Sequence, residues 1–211
     1  MKKMTSSRLR HHTNPLANTK EHHFPGFKNS REIWVEVGSG KGEFAEELIQ
    51  KHPRKNFILF EIRQPLYLSL VQKFAPFPNV RVFDGDAGRN FREILLPSIS
   101  RGVTVKKVFI NFPDPWFKKK QQKRRFINSS FLQKTQKYIK GETEFIFQTD
   151  QKSLFDFTWK CLNEHYKLCN PALSKTKKLH RFASSPQGIQ THWEKAKIAQ
   201  QQKIWRLRFY L

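Results

Sequence analysis

The chain has 211 residues, enough for one domain with its own core, and 37% of them are hydrophobic with 20 phenylalanines among them. That aromatic content argues against a disordered chain. Two cysteines, Cys161 and Cys169, with no C-x-x-C spacing rule out a disulfide scaffold or a zinc ribbon, and no apolar run approaches the roughly 18 residues of a membrane span. Forty Lys and Arg against 17 Asp and Glu leave a net charge of +23, which repels itself unless a polyanion is bound; nucleic acid is the commonest such partner.

Residues 1–31 are polar, broken by Pro15 and Pro25, and carry five basic residues before the first acid, Glu21. We read them as a flexible basic tail able to touch RNA. The start of the chain has no apolar stretch of secretory type, so a cytoplasmic location is expected. His11-His12 and His22-His23 do not have catalytic spacing, and no metal is expected. A strand and helix rhythm then begins. Ile33–Val37 predicts a strand, and Phe44, Ala45, Leu48 and Ile49 repeat at helical spacing. Asn56–Glu61 predicts a strand buried on both faces, and Leu66, Leu70, Val71 and Phe74 mark a second helix. Strands follow over Val80–Phe83 and Val105–Phe112, then a helix over Asn128–Ile139, a strand over Glu144–Thr149 and a helix over Ser153–Glu164. Ile204, Trp205, Leu207, Phe209 and Leu211 alternate as an antiparallel edge strand. Strands alternating with helices predict a single α/β domain over 32–211, Rossmann-like and doubly wound, with a mostly parallel sheet.

Ligands in such folds sit beyond the carboxyl ends of the strands, where strand order reverses. Acids cluster there: Glu36, Glu61, Asp86, Asp114 and Asp150 each close or follow a predicted strand, five of the 17 in the chain. Any one of them could be a helix cap or turn former; five in register predict a shared site. Glu36-Val-Gly38-Ser-Gly40-Lys-Gly42 is a glycine-rich turn, but Glu43 stands where a dinucleotide fold has its third glycine, and no Gly-Lys-Ser/Thr makes it a P-loop.

This turn, with an acid at the next strand end 25 residues later, resembles class I S-adenosylmethionine-dependent methyltransferases. Asn111-Phe112-Pro113-Asp114-Pro115-Trp116, followed by Phe117-Lys118 and Lys123-Arg124-Arg125, resembles the signature of bacterial tRNA (guanine-N7-)-methyltransferases. Thr149-Asp150 and Thr191-His192-Trp193-Glu194 are similar to that family's later motifs. Phe117 replaces the usual His or Pro, Gln121 a usual His, and Trp193 a Phe or Tyr. The resemblance implies methyl transfer from S-adenosylmethionine to N7 of a guanine in the variable loop of tRNA, with S-adenosylhomocysteine as product and no metal. It implies cofactor contacts from Glu36, Gly38, Gly40, Glu61, Asp86 and Asp114, with Asp114 catalytic. Lys118, Asp150, Thr191, His192, Trp193 and Glu194 would face substrate.

The chemistry agrees with that reading. S-adenosylmethionine carries an ammonium and a sulfonium and no phosphate, which suits an acidic site. Guanine N7 is a lone pair without a proton, so its methylation needs alignment and charge stabilisation but no general base. A carboxylate beside the purine can accept from N1–H and the exocyclic amine and offset the positive charge on the product. Lys118, Lys119, Lys120, Lys123, Arg124 and Arg125 place six cations in eight residues directly after that carboxylate, as a phosphate clamp for tRNA. Lys175, Lys177, Lys178 and Arg181 form a second basic cluster. Trp116 and Trp193 either stack on the base or pack in the core. Two other readings stay open: a methyltransferase of the same fold acting on protein or a small molecule, and an RNA-binding protein with an inactive cofactor site.

Overall fold

The computed structural model describes residues 14–15, 20–139, 143–169 and 179–211. Five strands lie parallel: β1 (Ile33–Val37), β2 (Asn56–Glu61), β3 (Val80–Asp84), β4 (Val105–Asn111) and β5 (Glu144–Thr149). β7 (Trp205–Tyr210) runs antiparallel to β5, and the short β6 (Leu179–Arg181) pairs antiparallel with β7 on its far side. The order is β3-β2-β1-β4-β5-β7-β6, so β1 sits between β2 and β4 and the winding reverses there.

Helices cover both faces because the inner strands carry apolar side chains on both, with their polar residues mostly towards the strand ends. Ile33, Val35, Ile58, Phe60, Val108 and Ile110 point to one face, and Trp34, Phe57, Leu59 and Phe109 to the other. The first face packs on α3 (Ala87–Ile99) through Phe91 and Ile94, on α4 (Ser129–Gln136) through Phe131, and on α5 (Lys152–Cys169) through Leu154, Phe155 and Leu162. The second packs on α1 (Glu43–Lys51) through Phe44 and Leu48, and on α2 (Gln64–Phe74) through Leu70 and Phe74. Truncating a ring such as Phe60 or Phe91 to alanine would cost about 3–5 kcal/mol, transfer and cavity terms together.

Two helices lie beyond the sequence expectation. α3 contains Pro97, which reads as a breaker in sequence; it falls in the last turn, where the helix tolerates it. α6 (His192–Ala199) has little amphipathic character and forms behind a capping box of Thr191 and Glu194. Residues 20–31, assigned above to a flexible tail, pack on the domain. Phe24 and Phe27 are buried edge-to-face at 5.3 Å, Phe24 meets Phe83 at 5.5 Å, and Arg101 donates to the Pro25 and Phe27 carbonyls at 2.6 and 2.8 Å. Two aromatics in a polar stretch carry no periodicity, so only the packing shows that they belong to the core. The rest of that tail, residues 1–13 and 16–19, lies outside the described residues, as do Lys175, Lys177 and Lys178.

Candidate active site

The reversal of winding brings Glu36, Glu61 and Asn111 together at the carboxyl ends of β1, β2 and β4. After Val37 the chain turns sharply, held by Gly38 and Ser39 N–H groups donating to the Phe60 carbonyl at 2.8 and 2.9 Å. Gly40, at φ 58°, aims its N–H at Glu61 Oε2, 2.8 Å away, and only the tip of Arg63 comes near the place a Cβ would take. Gly42 is required for a different reason: at φ 75° a Cβ there would lie 2.6 Å from Leu70 and 2.9 Å from Phe74. The turn therefore packs on α2 from below and is open above Gly38 and Gly40.

Glu36 is buried. Its Oε1 accepts from Asn111 Nδ2 at 3.3 Å, while Oε2 has no hydrogen-bond partner. Burial pushes its pKa up to about 7, against the bond from Asn111 and the nearby Ser39 hydroxyl, and the Glu61 carboxylate adds to the rise. Glu61 is as deeply buried but well supplied with donors. Besides Gly40 it accepts from the Arg63 N–H and Nε, both at 2.9 Å, and from Arg63 Nη2 at 3.3 Å. Burial would lower the Arg63 pKa, but the bond and charge of Glu61, helped by the charge of Asp114, raise it on balance. Arg63 thus draws the two carboxylates into one electrostatic cluster, a role the sequence did not reveal. Asp86 caps α3, its Oδ1 accepting from the Gly88 N–H at 3.1 Å, and burial raises its pKa. Next to it Asp84, the last residue of β3 and not singled out by the sequence pattern, is buried and paired with Lys20 and His22.

The Pro113-Asp114-Pro115 loop follows β4 and is bracketed by two residues in the left-handed region, Phe112 at φ 49° and Trp116 at φ 45°. Such non-glycine conformations cost on the order of 1–3 kcal/mol each and persist where surrounding contacts impose them. Those contacts are visible. The Phe112 N–H donates to the Gln148 carbonyl at 2.8 Å, and Arg125 Nε and Nη2 donate to the Pro115 and Trp116 carbonyls at 2.8 and 3.4 Å. Arg125 is buried, its guanidinium 4.4 Å from the Phe157 ring centroid. Its expected phosphate contact is therefore corrected: Arg125 braces the Asp114 loop. Arg124 is half-buried over Trp116, 4.9 Å from the ring centroid. Lys118, Lys119, Lys120 and Lys123 are exposed, the last three within a 3₁₀ helix over Lys119–Arg124.

The later motifs are divided between the surface and the interior. Glu194 has no exposure. Its Oε1 accepts from Arg206 Nη2 and the Ser185 hydroxyl, both at 2.6 Å, and its Oε2 from the Thr191 N–H and Gln148 Nε2, both at 3.4 Å. Gln148 also donates to Asn111 Oδ1 at 3.0 Å and accepts from Arg206 Nε at 3.2 Å. A buried polar chain thus runs from Glu36 through Asn111, Gln148 and Arg206 to Glu194. Glu194, expected to face substrate, instead anchors the start of α6. Thr191 is buried as the N-cap and accepts from the Glu194 N–H at 3.0 Å. His192 is exposed and Trp193 half-buried with Lys197 over its ring at 4.5 Å; the same lysine pairs with Asp150 at 3.2 Å. Among the described residues no group of His, Cys, Asp and Glu has the arrangement of a metal site, and no helix is long and apolar enough to cross a membrane.

This sheet order, with carboxylates gathered at the point of reversal, defines the class I methyltransferase fold. A solved aminoglycoside resistance methyltransferase shares it, with a TM-score of 0.53 at 19% identity over 87% of this chain and 88% of its own. The family model described as "Putative methyltransferase" matches residues 30–207. The tRNA (guanine-N(7)-)-methyltransferase of Exiguobacterium sp. AT1b is 33% identical over 86% of this chain and 80% of its own, and that of Bacillus velezensis 35% identical over 85% and 79%. The chain belongs to the tRNA (guanine-N7-)-methyltransferase family.

Proposed function

We propose that the protein transfers the methyl group of S-adenosylmethionine to N7 of a guanine in tRNA, in the cytoplasm, with Asp114 as its catalytic carboxylate. The observation that carries this reading is the loop itself. Asp114 is held between two strained residues and two prolines at the end of a strand bordering Glu36, and exposed lysines begin four residues later.

The residues present fit the cofactor. Glu36 Oε2 is a buried acceptor without a donor, which an ammonium group would supply. The open backbone at Gly38 and Gly40 leaves room above the turn. Glu61 can accept from ribose hydroxyls, as acids at this strand end do in nucleotide folds, once the half-exposed Arg63 side chain gives way. When bound, S-adenosylmethionine supplies an electrophilic methyl on a sulfonium.

The chain's own part is to place the guanine and hold charge. The Asp114 carboxylate accepts from N1–H and the exocyclic amine, which selects guanine, and its negative charge offsets the positive charge that N7 methylation leaves on the ring. No residue has to remove a proton. Arg125 and the Phe112–Gln148 bond keep the loop in place, and Glu194 with Arg206 fixes the start of α6 at Thr191. Lys118, Lys119, Lys120 and Lys123, with Arg124 at their edge, hold phosphates of the tRNA. The test is methylation of tRNA with labelled S-adenosylmethionine, followed by reduction and cleavage at 7-methylguanosine. Labelled protein, or label at another base, would refute it.

A further inference from the structure

Leu68, Val71, Phe117, Leu168 and Ile198 are the large apolar side chains standing in solvent among the described residues, and Phe117 is the aromatic one, 62% exposed. Leaving a phenylalanine in water forgoes about 1.5–3 kcal/mol of burial, so its place calls for a reason. Its neighbours set that place. At φ 45° the backbone of Trp116 turns its own ring inward, 9% exposed beneath Arg124, and the chain emerges with Phe117 facing out. Lys118, Lys119 and Lys120 follow at once, all exposed, and Lys123 lies one turn on. An open aromatic ring therefore stands among four exposed lysines, three residues beyond Asp114. The two tryptophans considered as stacking residues are covered: Arg124 lies over Trp116 at 4.9 Å and Lys197 over Trp193 at 4.5 Å.

We propose that Phe117 is a platform on which an unpaired nucleobase of the RNA, a neighbour of the methylated guanine, stacks. Presenting one base to Asp114 separates it from its neighbours in the strand, and a flat apolar ring beside the site replaces the stacking it gives up. The lysines around it draw the flanking phosphates and bring the base over the ring. A protein partner would need an apolar patch, and Phe117 is a single ring in a positive field. The inference rests on the tRNA reading and adds to it a stacking contact with a base beside the target guanine.

The experiment compares full-length wild type with Phe117→Ala, Phe117→Leu and Phe117→Trp. Binding to a tRNA transcript is followed by anisotropy across salt concentration, S-adenosylmethionine binding by calorimetry, and self-association by sedimentation. Because the side chain is exposed, all four proteins should fold alike. Loss of one stacked base should weaken tRNA binding about 5- to 150-fold in the alanine variant. Leucine should recover little and tryptophan most of it. The salt slope and cofactor affinity should stay as in wild type, since no charge is removed. Wild-type affinity in Phe117→Ala would overturn the platform, and so would leucine matching tryptophan, which would mean simple apolar contact. A wild-type dimer that the alanine variant breaks would assign the ring to a second copy of the chain and also overturn it. Wild type that binds no tRNA would sink the proposed function together with this platform; wild type that methylates tRNA while Phe117→Ala binds equally well would sink the platform alone.

Discussion

Glu36→Gln should make the ligand-free protein more stable, by a margin that opens above about pH 4.5 and is complete from about pH 7 upward. The carboxyl is 3% exposed, and its pKa of about 7 in the fold compares with an ordinary value of 4.5. Between those two values the folded state holds a proton that the unfolded chain releases, so wild-type stability falls as pH rises from about 4.5 to about 7 and is level above. A gap of about 2.5 units at about 1.4 kcal/mol each amounts to roughly 3 kcal/mol. Glutamine has the shape of the protonated acid. Its oxygen can still accept from Asn111, and its NH₂ takes the place of the carboxyl hydroxyl. The variant should exceed wild type by less than about 1 kcal/mol at pH 5 and by roughly 3 kcal/mol at pH 8. Urea unfolding of both proteins at pH 5, 6, 7 and 8 measures the difference, in which all other titrating groups cancel. The same charge should serve the cofactor: wild-type affinity for S-adenosylmethionine should rise about tenfold per pH unit up to about 7 and then level, and the variant should show no such rise. Parallel stability profiles for the two proteins would refute the reasoning, because Glu36 would then ionise as easily in the fold as outside it.

Asp114→Asn keeps the shape of the loop and loses the charge, so turnover should fall about 10²–10³-fold with an unchanged circular dichroism spectrum; near wild-type turnover would remove Asp114 from its role. Glu61→Ala should weaken S-adenosylmethionine binding by about 1.5–3 kcal/mol in calorimetry, the range for charge-assisted hydrogen bonds. Replacing Lys119, Lys120 and Lys123 by alanine should spare that binding and reduce the log–log salt slope for tRNA by roughly two to three units, close to one for each phosphate no longer neutralised. Arg206→Met strands Glu194 in the interior and should cost about 3–5 kcal/mol, seen as a melting temperature lower by roughly 10 °C.

What the sequence determined by itself was whatever depends on local pattern. The apolar runs at Ile33–Val37 and Asn56–Glu61, alternating with helical spacing at Phe44–Ile49, were enough to set a parallel sheet. Acids next to those runs marked the carboxyl edge of the sheet, and the P-D-P-W loop with its lysines marked the chemistry. Tertiary structure decided which way each of these residues points. Six cations within eight residues look alike in sequence, yet Arg125 turns inward to brace Pro115 while Lys118–Lys120 turn out, because the 3₁₀ turn directs them to different sides. Trp116 and Phe117 are adjacent aromatics that only a backbone angle of 45° separates into core and surface. Glu194 reads as one more acid near a site until Arg206, twelve residues away, and Gln148, 46 away, close around it. Arg63 over Glu61 and the raised pKa of Glu36 are likewise products of burial. Desolvation and long-range pairing depend on what the fold brings within a few ångströms, and no periodicity along the chain encodes that distance.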